Sequence, residues 1–146
     1  MTSATVPVFD TTLHKTNEWV QEVAGALPTS DAQVAYRILR GVLHALRDRL
    51  PPPEAVHLGA QLPMLLRGSY YEGWKPTATP MSGNREAFLE RVRESLSDQP
   101  GVPDPERWTR AVFLVLARRM DVGEVEDVAG MLPAGFSDLW PDSMRS

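Results

Sequence analysis

The sequence contains no cysteine, which removes disulfides, thiolate nucleophiles, iron–sulfur clusters and cysteine-ligated zinc together. It has three histidines, His14, His44 and His57, and they do not form the His-Glu-x-x-His pattern of a zinc hydrolase. No apolar run approaches the length that crosses a bilayer. The N-terminal MTSATVPVFDTT has neither the basic segment nor the continuous apolar segment of a signal peptide, so the chain is expected in the cytoplasm. A Gly-rich phosphate loop and a nucleophile elbow are also missing. The sequence therefore points to no catalytic residue, no cofactor and no metal ligand set, and the expectation is that the protein is not an enzyme.

What is present is enough apolar material for one self-sufficient core: 146 residues, of which 42% are hydrophobic. A formal charge of −4 suits an ordinary soluble protein and weighs against one whose main partner is the phosphate backbone. The apolar positions fall at helical spacing throughout, which predicts an all-α fold. In the first helix Leu13, Asn17, Val20, Val23 and Leu27 fall near one face with Trp19 beside it. Pro28 ends that helix. Ser30 or Asp31 caps a longer one whose wide stripe of Val34, Ile38, Leu39, Val42, Leu43, Leu46 and Leu50 suggests burial on two sides. Pro51, Pro52 and Pro53 make a corner, because proline suits a first helical turn and cannot continue a preceding helix. Val56, Leu58, Ala60 and Leu62 follow on the next helix, which Pro63 stops.

After the loop KPTATPMSGN the same order returns. Phe88, Leu89, Val92 and Leu96 mark one helix. Asp104 and Pro105 cap a second, striped by Trp108, Val112, Phe113, Leu116 and Met120. Asp121 starts a third with Glu124 in capping-box position. RDRLPPPEAVHLGAQLP, residues 47–63, aligns without a gap to ARRMDVGEVEDVAGMLP, residues 117–133. At this offset Arg37 meets Arg107, Arg40 meets Arg110, Val42 meets Val112, Leu46 meets Leu116, Arg49 meets Arg119 and Glu54 meets Glu124. The expectation is an internal duplication: two tandem similar helical units of three to four helices each, packed as a single globular domain and related by an approximate rotation. Residues 1–10 read as a flexible tail, 11–74 as the first unit, 75–83 as a linker, 84–141 as the second unit and 142–146 as a C-terminal tail. The repeated Arg49 and Glu54, and Arg119 and Glu124, suit the ends of helix dipoles and are expected to pair across their corners.

Three features carry candidate chemistry. The segment RGSYYEGW is poorly repeated and rich in aromatics, which makes Trp74, Tyr71 and Arg67 candidate partner-binding residues, with Trp74 the anchor because it follows Gly73 and precedes a loop. Tyr70 aligns with Trp140 and is expected to be structural. Arg37, Arg40, Arg107 and Arg110 form a candidate basic stripe, at spacings that line one side of a helix. His44 and His57 lie on consecutive helices, where a metal shared with Asp48 or Glu54 is conceivable, although the second unit has Leu114 and Asp127 at the equivalent positions. The leading expectation is a non-catalytic protein-interaction or regulatory module with a protein partner. A nucleic-acid binder using the arginine stripe is the alternative, and a histidine metal-binding protein stands behind both.

The strings HKTNEW, AYRILRGVLHALRDRL, HLGAQLPMLLRGSYYEGW and RAVFLVLARRMDVGEVEDV with DLWP resemble the bacterial family named domain of unknown function 2267, over about Thr12 to Pro141. The resemblance implies a small soluble helical protein and brings no activity or site residues with it. The three consecutive prolines at the first corner depart from the family's usual pattern and imply a stiffer turn.

Overall fold

The computed structural model describes residues 6–144, and among these the chain is all-α, with no strand. Helix α1 spans Pro7–Ala26, α2 Ala32–Arg47, α3 Pro52–Ala60 and α4 Met64–Tyr71; after the middle loop come α5 Arg85–Ser95, α6 Pro105–Arg119 and α7 Val122–Met131, followed by 3-10 turns at Ala134–Leu139 and Asp142–Met144. Helix α1 begins with Pro7 in its first turn. It therefore reaches into the segment 1–10 expected as a tail, of which residues 1–5 lie outside the described residues.

Local chemistry places most of the boundaries. The Asp31 carboxylate accepts the N–H groups of Gln33 and Val34 and so caps α2, satisfying donors that the first turn would leave orphaned. Asp104 does the same for α6 through the N–H of Arg107, with Pro105 in the first turn. Pro51 and Pro63 stand just before α3 and α4 in extended backbone, and the corner predicted from the proline run is present. The capping box predicted at Asp121 does not form. The Asp121 side chain makes no cap hydrogen bond, and its N–H is donated instead to Gln61 Oε1 at 3.1 Å.

Helix α2 is the centre of the molecule, touching α1, α4, α5 and α6. Ile38, Leu39, Val42, Leu43 and Leu46 are all buried on it, each worth roughly 1.5–3 kcal/mol of apolar transfer. The burial on two sides that its wide stripe predicted is observed. In α1 the buried face is Thr16, Trp19, Val20, Val23 and Ala24. Leu13 and Asn17, placed on that face from spacing, are exposed, because the face turns toward α2 only from Thr16 onward. Val56 is likewise exposed on α3. The buried residues of all seven helices form one continuous cluster that runs through both halves of the chain. Within it Val42 and Val112 are both fully buried, as are Leu46 and Leu116 to within 1%. The halves also differ: α1 has 20 residues where α5 has 11, and the helical turn α4 corresponds to a 3-10 turn.

The end of α2 is a polar knot. Arg47, 3% exposed, donates from Nε to Asp48 Oδ1 and from Nη1 to the carbonyls of Tyr70 and Glu72, each at 2.8 Å. Arg91 of α5 pairs with the other oxygen of Asp48, and the Asp48 carbonyl accepts the N–H of Met81 at 2.7 Å. Arg49 lies over the rings of Phe88 and Phe136, 5.7 and 5.5 Å from their centroids, and donates to the Gly83 carbonyl at 2.7 Å. Three consecutive residues thus fasten α2 to α4, to α5 and to the middle loop. Arg49 does not pair with Glu54 as expected from the sequence; the aromatic rings of the second half draw it away.

Removing one partner of a buried ion pair leaves the other uncompensated, at a cost of about 3–5 kcal/mol. Asp48→Ala is therefore expected to lower the unfolding free energy by about that amount in urea titrations. Glu90→Ala, which breaks an exposed pair with Arg93, is expected to leave it nearly unchanged.

Candidate functional site

The aromatic segment sits at the end of α4. Tyr70 is fully buried and donates to the Ala55 carbonyl at 2.7 Å, in the structural place expected of it. Tyr71 and Trp74 are half-buried, their ring centroids 5.4 Å apart, and both pack on the core cluster. Gly59 lets Tyr71 lie against α3: a Cβ at that position would stand 2.4 Å from the Tyr71 hydroxyl. Arg67 donates to the carbonyls of Gly59 and Leu62 at 2.9 Å each, closing the C-terminal end of α3. The three residues predicted as partner-binding are thus all half-buried, Arg67 and Tyr71 against α3 and Trp74 against Tyr71.

The arginine stripe is largely neutralised. Arg37 pairs with Asp98, Arg40 with Glu72 at 3.1 Å, and Arg110 with Glu106 and Asp138 at 2.7 and 3.0 Å. Arg107 is exposed. His44 is bonded to the Ser69 carbonyl at 2.7 Å, where its Nε2 must donate, and burial holds its imidazole below the usual range.

A more open surface lies where α1 passes α4. From Val6 to Lys15 every residue is exposed except half-buried Thr12, so the first turns of α1 run along the surface. Thr12 Oγ1 accepts the N–H of Leu65 at 2.9 Å, tying α1 to the start of α4. Val8, Phe9 and Leu13 from α1 and Met64 and Leu65 from α4 are 47%, 56%, 51%, 51% and 50% exposed. Beside them a groove of about 770 Å³ is lined by Val8, Lys15, Trp19, Pro63, Met64 and Arg118, among others. Arg119, expected to pair with Glu124, instead bonds Glu22 and lies near Glu18 in this groove. Spacing alone assigned Leu13 to the core, and the exposure of Phe9, Met64 and Leu65 had no signal in it.

The two repeated glutamates meet each other. Glu54 and Glu124 hold the third helical position of α3 and α7, and His57 stands a turn beyond Glu54. Ligand atoms of these three residues all lie within 4.8 Å of one another. A glutamate in this helical position commonly accepts the N–H of the residue before the helix. Neither one can do so here: Pro51 has no N–H, and that of Asp121 goes to Gln61. Oε2 of Glu54 and Oε2 of Glu124 are accordingly buried without a hydrogen-bond partner. Burial first, then a hydrogen bond shared with Glu54, the charge of Glu54 and those of Asp127 and Asp121, push the Glu124 carboxyl up to about 7.

The chain matches the family described as uncharacterized conserved protein (DUF2267) over residues 16–139, and it belongs to that family. No curated protein matches it. Among the described residues no helix is long and apolar enough to cross a membrane.

Because the Glu124 pKa in the fold lies above its ordinary 4.5, the folded state holds this proton more tightly than the unfolded chain. Its contribution favours the fold at pH values below about 4.5 and is lost as pH rises through about 7. His44 acts in the opposite sense, since burial lowers its pKa, so the Glu124 part is read as a difference between two proteins. Glu124→Gln is expected to melt above the native chain at pH 8, with the difference closing as the pH falls to 5. A difference independent of pH contradicts the assignment.

Proposed function

We propose that this protein is a non-catalytic interaction module, built from two similar helical units, that binds a protein partner on the α1–α4 face. The observation that carries the reading is the set of half-exposed apolar residues Val8, Phe9 and Leu13 on α1 and Met64 and Leu65 on α4, of which Val8 and Met64 line the groove. Scattered apolar residues are ordinary on a surface, whereas several on two neighbouring helices beside a concavity suit a docking site. The groove carries exposed Lys15, while Arg118 faces Glu22 at 3.6 Å and Arg67 is bonded to the carbonyls of Gly59 and Leu62. This fits a partner segment that docks mainly through an apolar stripe. The aromatic pair Tyr71 and Trp74 packs on itself and on the core at the end of α4, and so anchors that helix. The neutralised arginines offer less to phosphate than their number suggests, which favours the protein partner over nucleic acid.

The test uses a photoreactive residue at Leu13 in the native host, identification of the crosslinked protein, and reconstitution with that purified partner. Leu13→Asp is expected to weaken its binding at least tenfold and to leave the melting temperature within about 2 °C, since the side chain is half in water. Crosslinks to the partner that persist equally from a photoreactive residue at Glu86, on the opposite half of the chain, would refute the reading. So would crosslinks only to further copies of this chain.

A further inference from the structure

We propose that Glu54, His57 and Glu124 form a binding site for one first-row divalent cation, Zn²⁺ above all, which clips α3 to α7. Two carboxylates and one imidazole supply two negative charges and three donor atoms of the types that such ions take, with a remaining position for water. Metal–ligand bonds of about 2.0–2.2 Å place tetrahedral donors roughly 3.4 Å apart. The three ligand atoms here already lie within 4.8 Å of one another. The gap closes by rotation of His57, whose side chain is 66% exposed and free to turn, and whose Nδ1 stands 3.9 Å from Glu54 Oε2.

An independent observation points to a ligand rather than to a merely acidic spot. The Glu54 side chain is only 10% exposed, and its Oε2 has no hydrogen-bond partner. Among the described residues neither glutamate forms an ion pair with a lysine or an arginine, although Arg49 and Arg119 follow the same repeat and stand one helix earlier; both arginines are engaged elsewhere. A buried carboxylate oxygen left bare is costly unless something positive reaches it. A cation bound between Glu54 and Glu124 satisfies both bare oxygens at once and joins a helix of each half. All-oxygen cations such as Mg²⁺ and Ca²⁺ gain less from this set, because one of its three donors is an imidazole nitrogen.

The experiment is calorimetric titration of the full-length, tag-free protein with Zn²⁺ alone, with Mg²⁺ as comparator. One Zn²⁺ per chain is expected, with affinity at least tenfold above that for Mg²⁺. His57→Ala is expected to weaken it at least tenfold, and Glu54→Gln combined with Glu124→Gln to abolish it. His14→Ala removes the exposed His14–Glu18 pair on α1 and is expected to leave binding unchanged. Circular dichroism establishes that each variant is folded; if the double variant is not, His57→Ala decides, because its side chain lies mostly in solvent. Absence of one-to-one binding overturns the proposal, as does binding that survives His57→Ala or is lost with His14→Ala.

Discussion

The structure depends on the burial of α2. One helix, with a wide apolar stripe and a polar side that carries Arg37, Arg40 and His44, is enclosed by α1 and α4 from its own half and by α5 and α6 from the other. Neither half on its own supplies enough partners to cover it, and a unit of about 70 residues hides too small a fraction of its surface to be robust alone. The polar knot at its C-terminal end fixes the angle at which the halves meet. Arg47 and Asp48 bond in opposite directions, to α4 and to α5, and Arg49 reaches over Phe88 and Phe136. The short stretch RDRL therefore joins the two halves, and apolar burial around it makes those bonds strong by excluding water.

The other features follow from that packing. With α2 occupying the centre, α3 and α7 are brought together at one end, and their first turns set Glu54 opposite Glu124. Helix α1 has 20 residues, and its first turns run out past the core along α4. One consequence is a pair of glutamates that meet without a lysine or arginine between them; the other is a set of apolar side chains left partly in water. Both are departures from the ordinary rule that buried charge is paired and apolar surface is covered. Departures of this kind are where function is concentrated in otherwise consistent structures. The two lie on separate elements and rest on separate observations, so the partner surface and the cation site stand or fall independently.

Much of this was legible in the sequence, and the failures have physical causes. Helical spacing gave the class, and the caps at Asp31 and Asp104 and the proline corner gave boundaries, because each of these is a local interaction. The stripe of α2 gave its central place. Spacing could not say where along α1 the core begins, since Leu13 and Val20 look alike in one dimension and only the position of α2 separates them. The pairing of Arg49 with Glu54 was inferred from proximity in sequence, whereas Phe88, Phe136 and the Gly83 carbonyl, more than thirty positions away, provide the better environment. The capping box at Asp121 failed for the same reason: Gln61, from the other half, reached the N–H first. The meeting of Glu54 and Glu124 was half visible. The two glutamates align at the same offset in the sequence, but that the helix starts carrying them would face each other required the assembled fold.

The central claim is that both halves share one core around α2 and fold as one unit. Native-state hydrogen exchange measures this most directly, because it reports the opening free energy of each amide separately. The account predicts that Leu39, Val42 and Leu43 of α2 and Val112 and Phe113 of α6 exchange with the same free energy, equal to that of global unfolding. Amides of α5 to α7 that exchange together at a distinctly lower free energy than those of α2 would show a second half that opens alone, and would contradict it.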